Sequence, residues 1–90
     1  MNEIFIMFAK VKSSVFINQL RLQLSDPKGE HIQGILKDDQ GVICRTLEKK
    51  LLANKNELTW AGLNDLPYGR YTLELIQGEN KMKLNLVKRV

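Results

Sequence analysis

Between Arg70 and Leu75 apolar and polar residues alternate without a break: Tyr71, Leu73 and Leu75 on one parity, Arg70, Thr72 and Glu74 on the other. A period of two sends one set to a core and the other to water only if the backbone is extended. The residues just before sharpen this. Leu58 and Trp60 share a face of a preceding strand, and Leu66-Pro-Tyr-Gly69 separates the two strands with proline second and glycine fourth, the preference of a type I turn. Strand, turn and alternating strand in close succession predict a small antiparallel β-sandwich. That architecture serves binding, spacing and display more often than catalysis.

The same alternation recurs. Leu20, Leu22 and Leu24 interleave with Arg21 and Gln23; Met82, Leu84 and Leu86 interleave with Lys81, Lys83 and Asn85. Both read as half-buried strands with one wet face. Ile32 and Leu36 share a face, with Gly34 between them as a bulge or close-packing point. The breaks carry turn chemistry: Asp26 to Gly29, with Asp first, Pro second and Gly fourth; Asp38 to Gly41, the same frame without the proline; and a hairpin loop at Gln77 to Asn80. Asp26, Gly29, Asp38 and Gly41 are therefore structural turn residues. Turns at this spacing without a long helical pattern argue for a sandwich or barrel.

Two segments stay open. Thr46 to Asn54 fits a short helix, with Leu47 and Leu51 one turn apart, or a strand end followed by a mobile loop, the reading favoured here. Ile4 to Ala9 is apolar on both faces, so as a strand it needs cover on both sides or another copy of the chain to pair with.

Ninety residues make one domain, 1–90, and a 43% hydrophobic, 27% charged composition is that of a globular chain. The net charge of +4 reads as a mildly basic solvated surface. Nucleic-acid binding would pair basic clusters with aromatic platforms, whereas the six aromatics stand mostly at core-like positions, so no nucleic-acid partner is expected. The lone Cys44 excludes an internal disulfide and reads as a buried small hydrophobe. Ile4 to Ala9, the longest apolar run, falls far short of the roughly 20 residues a spanning helix needs, so no membrane insertion is expected. Neither a basic flank nor a small-residue cleavage site brackets that run, so no signal peptide is read. The expected location is the cytoplasm if this chain is the full product, or outside it if the chain belongs to a longer exported protein.

Catalytic chemistry finds no footing. His31 is the only histidine and reads as a surface strand position without a second metal ligand. Asp38 and Asp39 lack the alternating spacing of a calcium loop. Ser13 and Ser14 lack a nucleophile-elbow context, Glu48 and Glu57 are isolated, and the glycines form no phosphate-binding motif. The expectation is a protein that is not an enzyme and holds no cofactor or metal. Trp60 reads as core rather than as a ligand anchor, and the Tyr71 hydroxyl either ties a turn or does not.

Over residues 20–90 the chain resembles the type A C-terminal sorting domains of proteins exported by the type IX secretion system of Bacteroidetes. The blocks that carry the likeness are Ile35-Leu-Lys-Asp-Asp-Gln-Gly-Val-Ile43, Asn56-Glu-Leu-Thr-Trp-Ala-Gly-Leu63, Leu66-Pro-Tyr-Gly-Arg-Tyr71 and the lysine-bearing Lys81-Met-Lys-Leu-Asn-Leu-Val-Lys88. The Asn-Pro motif that commonly opens such domains is absent near Lys10 to Ser14, which leaves 1–19 as an N-terminal strand or linker.

The resemblance implies an all-β, Ig-like or prealbumin-like antiparallel sandwich of about seven strands. It implies secretion-machinery partners, an outer-membrane translocon and a sortase, and a path from periplasm to cell surface with an attached cargo. Leu66, Pro67, Gly69, Tyr71, Lys81, Lys83 and Lys88 become the partner-binding candidates, the three lysines on a wet face of an exposed terminal strand. Self-association through an edge strand is a further expectation. The alternative is a prealbumin-like or fibronectin-like structural or adhesion module that binds protein or glycan, since Leu-Pro-x-Gly-x-Tyr also occurs there.

Overall fold

A computed structural model of the chain describes residues 8–24, 31–50 and 56–89. Strand makes up 68% of these and helix none, so the fold is all-β. Eight strands form: β1 (Ala9–Val11), β2 (Val15–Phe16), β3 (Leu20–Leu24), β4 (His31–Asp38), β5 (Ile43–Lys50), β6 (Glu57–Trp60), β7 (Gly69–Gln77) and β8 (Asn80–Lys88). They build a three-stranded sheet, β1-β3-β6, and a five-stranded sheet, β2-β8-β7-β4-β5. This is a sandwich of the Ig-like kind, with β3 and β6 as its B and E strands and β4, β5, β7 and β8 as C, C′, F and G. One pairing departs from the antiparallel expectation. After β1, the first segment changes sheets, and β2 runs parallel to β8, with Val15 opposite Val87.

Alternation decides which face of each strand is buried. Leu20, Leu22, Leu24, Leu58 and Trp60 project from the small sheet onto Ile32, Leu36, Tyr71, Leu73, Leu75, Met82 and Leu86 of the large one. All are buried, and each Leu or Ile contributes about 1.5–3 kcal/mol relative to exposure. Gly34 is a close-packing point: a Cβ there would lie 2.9 Å from Trp60 Cζ3. The strand irregularity falls elsewhere, between Leu36 and Lys37 against β5. Trp60 is thus a core residue that fills the space a side chain on β4 would take.

Of the two readings of Thr46 to Asn54, the favoured strand end holds over Thr46 to Lys50, because β5 pairs with β4 as far as His31 opposite Lys50. Other expectations are corrected. Residues 51–54, the turn residues Asp26 and Gly29, and 4–7 of the apolar N-terminal run lie outside the described residues, while Phe8 and Ala9 are buried. The hydrogen-bonded turn before β7 falls at Leu63–Leu66, where Leu66 N–H donates to Leu63 O at 3.3 Å, and not at Leu66–Gly69. The β7–β8 connection is a two-residue turn, Gly78-Glu79, with Gln77 opposite Asn80. Cys44 is half-buried rather than buried, its thiol donating to Val42 O at 3.5 Å.

The largest correction concerns Lys88. It is only 2% exposed, because it shares parity with Met82, Leu84 and Leu86 and so faces inward. Nor is β8 a free edge at its end: β2 flanks it at Val87 and Lys88, and Val87 N–H and Arg89 N–H donate to Ser14 O and Phe16 O, each at 2.8 Å.

Candidate functional site

The registers bring the ends of β4 and β8 and the starts of β5 and β7 to one pole, together with β2 and the 61–68 loop. There the loop that enters β7 is closed by a side chain. Tyr71 Oη donates to Pro67 O at 2.6 Å, four residues upstream, in the arrangement called a tyrosine corner. The ring itself is buried, with its edge toward Phe16 at a centroid distance of 6.0 Å. Burial raises the Tyr71 hydroxyl pKa above its ordinary value. Leu66 is buried beneath the loop, while Pro67 and Gly69 are exposed. Gly69 sits at φ +144°, with open space where a Cβ would stand, so its constraint is conformation and not close approach.

Lys88 belongs to this pole. It lies opposite Gly69 in the β7–β8 register, donates from Nζ to Arg89 O at 3.1 Å, and lies 5.3 Å from the centroid of the exposed Tyr68 ring. Asp65 is next to this group. Its carboxylate accepts from Arg45 Nη2 at 2.5 Å, which holds its pKa below the usual value, with Lys88 contributing in the same direction. The Asp38 turn closes the corner of the pole. Asp38 Oδ1 accepts from the backbone N–H of Gln40 and of Val42, both at 2.9 Å, and Gly41 N–H donates to Asp38 O at 3.0 Å. These bonds give Asp38 and Gly41 the turn role read from the sequence.

Lys81 and Lys83 stand apart. They are exposed on the outer face of the large sheet, with Lys83 opposite Glu74. Seven residues along a strand put Lys81 about 23 Å from Lys88. The seven partner-binding candidates therefore divide: Leu66, Pro67, Gly69, Tyr71 and Lys88 form one corner, and Lys81 and Lys83 lie on a face remote from it.

Sequence reading missed an open groove of about 450 Å³ on the outer face near the same pole, lined by Ser14, Asp39, Arg70, Thr72, Asn85 and Val87. These residues come from four separate stretches of chain, and no local motif joins them. Register alone does so, through the pairs Arg70–Val87 and Thr72–Asn85. Hydroxyls, an amide, a guanidinium and a carboxylate there can exchange hydrogen bonds with a polar ligand. Among the described residues no three of His, Cys, Asp and Glu converge as a metal site, and His31 is exposed at the start of β4. No helix among them is long and apolar enough to cross a membrane.

Fold and pole together define an Ig-like, two-sheet β-sandwich with one corner closed by the Tyr71–Pro67 hydrogen bond. The chain matches no known protein-family model, and a search of curated proteins finds no significant match.

Proposed function

We propose that this chain is a non-catalytic sorting domain of the type IX kind, recognised by secretion-machinery proteins that carry an attached cargo across the outer membrane to the cell surface or the medium. The observation that supports this reading is the meeting of two sequence blocks in space. Leu66-Pro-Tyr-Gly-Arg-Tyr71 and the end of the lysine-bearing strand adjoin at Gly69 and Lys88, and the Tyr71–Pro67 hydrogen bond fixes the corner they share. A folded corner of this kind presents a constant surface whatever cargo precedes it. On this reading Lys88 positions the corner from within, and Lys81 and Lys83 are the lysines able to meet a receptor by charge complementarity.

The test is a fusion of residues 1–90 behind a signal peptide and a reporter, in a host that carries the machinery. The reporter should reach the surface or the medium, and deletion of Lys81 to Val90 should strand it in the periplasm. Lys81→Glu with Lys83→Glu should reduce export. A folded, protease-resistant fusion that stays periplasmic defeats the proposal. The polar groove then supports the second reading, an adhesion module whose groove takes a glycan or a polar peptide.

A further inference from the structure

We propose that the free edge of β5 is a strand-addition site for an extended acidic segment of a partner protein, which pairs antiparallel to β5 as a sixth strand of the large sheet. The proposal stands independently of the sorting reading. β5 is the terminal strand of its sheet and, among the described residues, is hydrogen-bonded on one side only, to β4. About half of its backbone N–H and C=O groups therefore face outward as a template. No residue of β5 is buried. Trp60 of the small sheet meets Gly34 of β4, whereas on β5 only Cys44 and Leu47 pack against the core, and those only partly.

Edge strands are normally guarded by prolines, bulges or charges along their length. Here the guards are confined to particular positions. No proline occurs in β5, its irregularity falls at Cys44 near its start, its charges gather at Glu48 to Lys50, and Arg45 is drawn back, its Nη1 donating to Cys44 O at 2.8 Å and its Nη2 to Asp65. Val42 and Ile43, at the start of the strand, are more than half exposed (57% and 55%). At the other end Lys49 and Lys50 are exposed and make no ion pair among the described residues.

Charge selects the occupant. The strand carries Arg45, Lys49 and Lys50 against Glu48 alone. A second copy fits poorly. Antiparallel self-pairing centred on Leu47 sets Arg45 opposite Lys49, and centring on Thr46 sets Arg45 diagonal to the other copy's Arg45 and Lys49. Like charges so placed destabilise a pair. An added strand with acidic residues beside Lys49 and Lys50 and β-branched residues beside Val42 and Ile43 meets both ends of the edge. In antiparallel orientation its acidic residues come first in sequence.

The probe is an eight-residue peptide of two aspartates followed by alternating threonine and valine, titrated into the full chain and followed by backbone amide shifts. Perturbations should concentrate on β5 and shrink as salt rises. Lys49→Glu with Lys50→Glu, both exposed and harmless to the fold, should weaken binding about tenfold. A peptide with lysines for aspartates should recover binding on that variant, and Ile43→Lys should weaken binding of the original peptide without touching the charged end. Three results overturn the proposal: shifts that spare β5, affinity indifferent to the charge reversal, or β5 amides that broaden with protein concentration in the absence of peptide. The last would make a second copy the occupant.

Discussion

β5 and β7 lie on either side of β4, in the same sheet and at similar length, yet β7 buries every second residue from Tyr71 to Gln77 and β5 buries none. Pairing with β4 does not separate them, because both run along most of its length, although β7 is also bonded to β8 on its far side. What separates them is the second sheet. Leu73 and Leu75 of β7 are fully buried in the core between the sheets, whereas Cys44 and Leu47 of β5 pack only at its margin, so a side chain's fate depends on what lies above its strand. Position under the opposing sheet, more than strand propensity, assigns β7 to the core and β5 to the edge.

Matched substitutions on the two strands test this difference. Leu73 on β7 is fully buried, and Leu73→Ala should cost about 3 kcal/mol in chemical denaturation. Leu47 on β5 only packs partly against the core, and Leu47→Ala should cost roughly 1 kcal/mol or less. Equal losses would mean that β5 is covered. At the entry to β7, Gly69→Val should cost on the order of 1–3 kcal/mol, because valine resists φ +144°. A neutral midpoint would mean that the backbone relaxes freely there.

Tyr71→Phe should cost about 1 kcal/mol through loss of the Pro67 hydrogen bond. It should also change the alkaline limb of stability. The Tyr71 pKa is raised on folding, so its contribution is complete below the unfolded value of about 10 and is lost as pH rises through the folded one. The variant should flatten that loss; an unchanged alkaline profile would place Tyr71's ionisation outside the folding equilibrium. The smallest effect concerns the end of β7, where Gln77 is buried and its Nε2 has no hydrogen-bond partner among the described residues. Gln77→Met should be neutral or stabilise by up to about 1 kcal/mol, and a clear loss of stability would show that the amide is satisfied in solution.

The parts of this fold legible in the sequence are those where one face is covered. Leu20 to Leu24, Tyr71 to Leu75 and Met82 to Leu86 declare themselves because a core imposes a period of two. β5 is harder to read for the converse reason: with neither face buried, nothing selects an alternating pattern, and Thr46 to Asn54 fits a strand end running into a loop or, less well, a short helix. Lys88 is different. Counting by twos from Met82 reaches it, so the parity signal was present, and its charge misled the reading toward water. The groove and the parallel β2–β8 pairing depend on tertiary register, which no local pattern near Ser14 or Asn85 encodes. The Tyr71 tie is an intermediate case: the residue type and place suggested it, and geometry decided it.

Backbone amide hydrogen exchange, resolved strand by strand in the isolated chain, tests the contrast between covered and open strands most directly. The amides of β7, bonded between β4 and β8 beneath the small sheet, should exchange only through global unfolding. About half of those in β5, the ones turned away from β4, should exchange orders of magnitude faster, and the charge-complementary peptide should slow them selectively. Uniform protection across β5 and β7 in the chain alone would contradict the account, since it would mean that the edge is already occupied or buried.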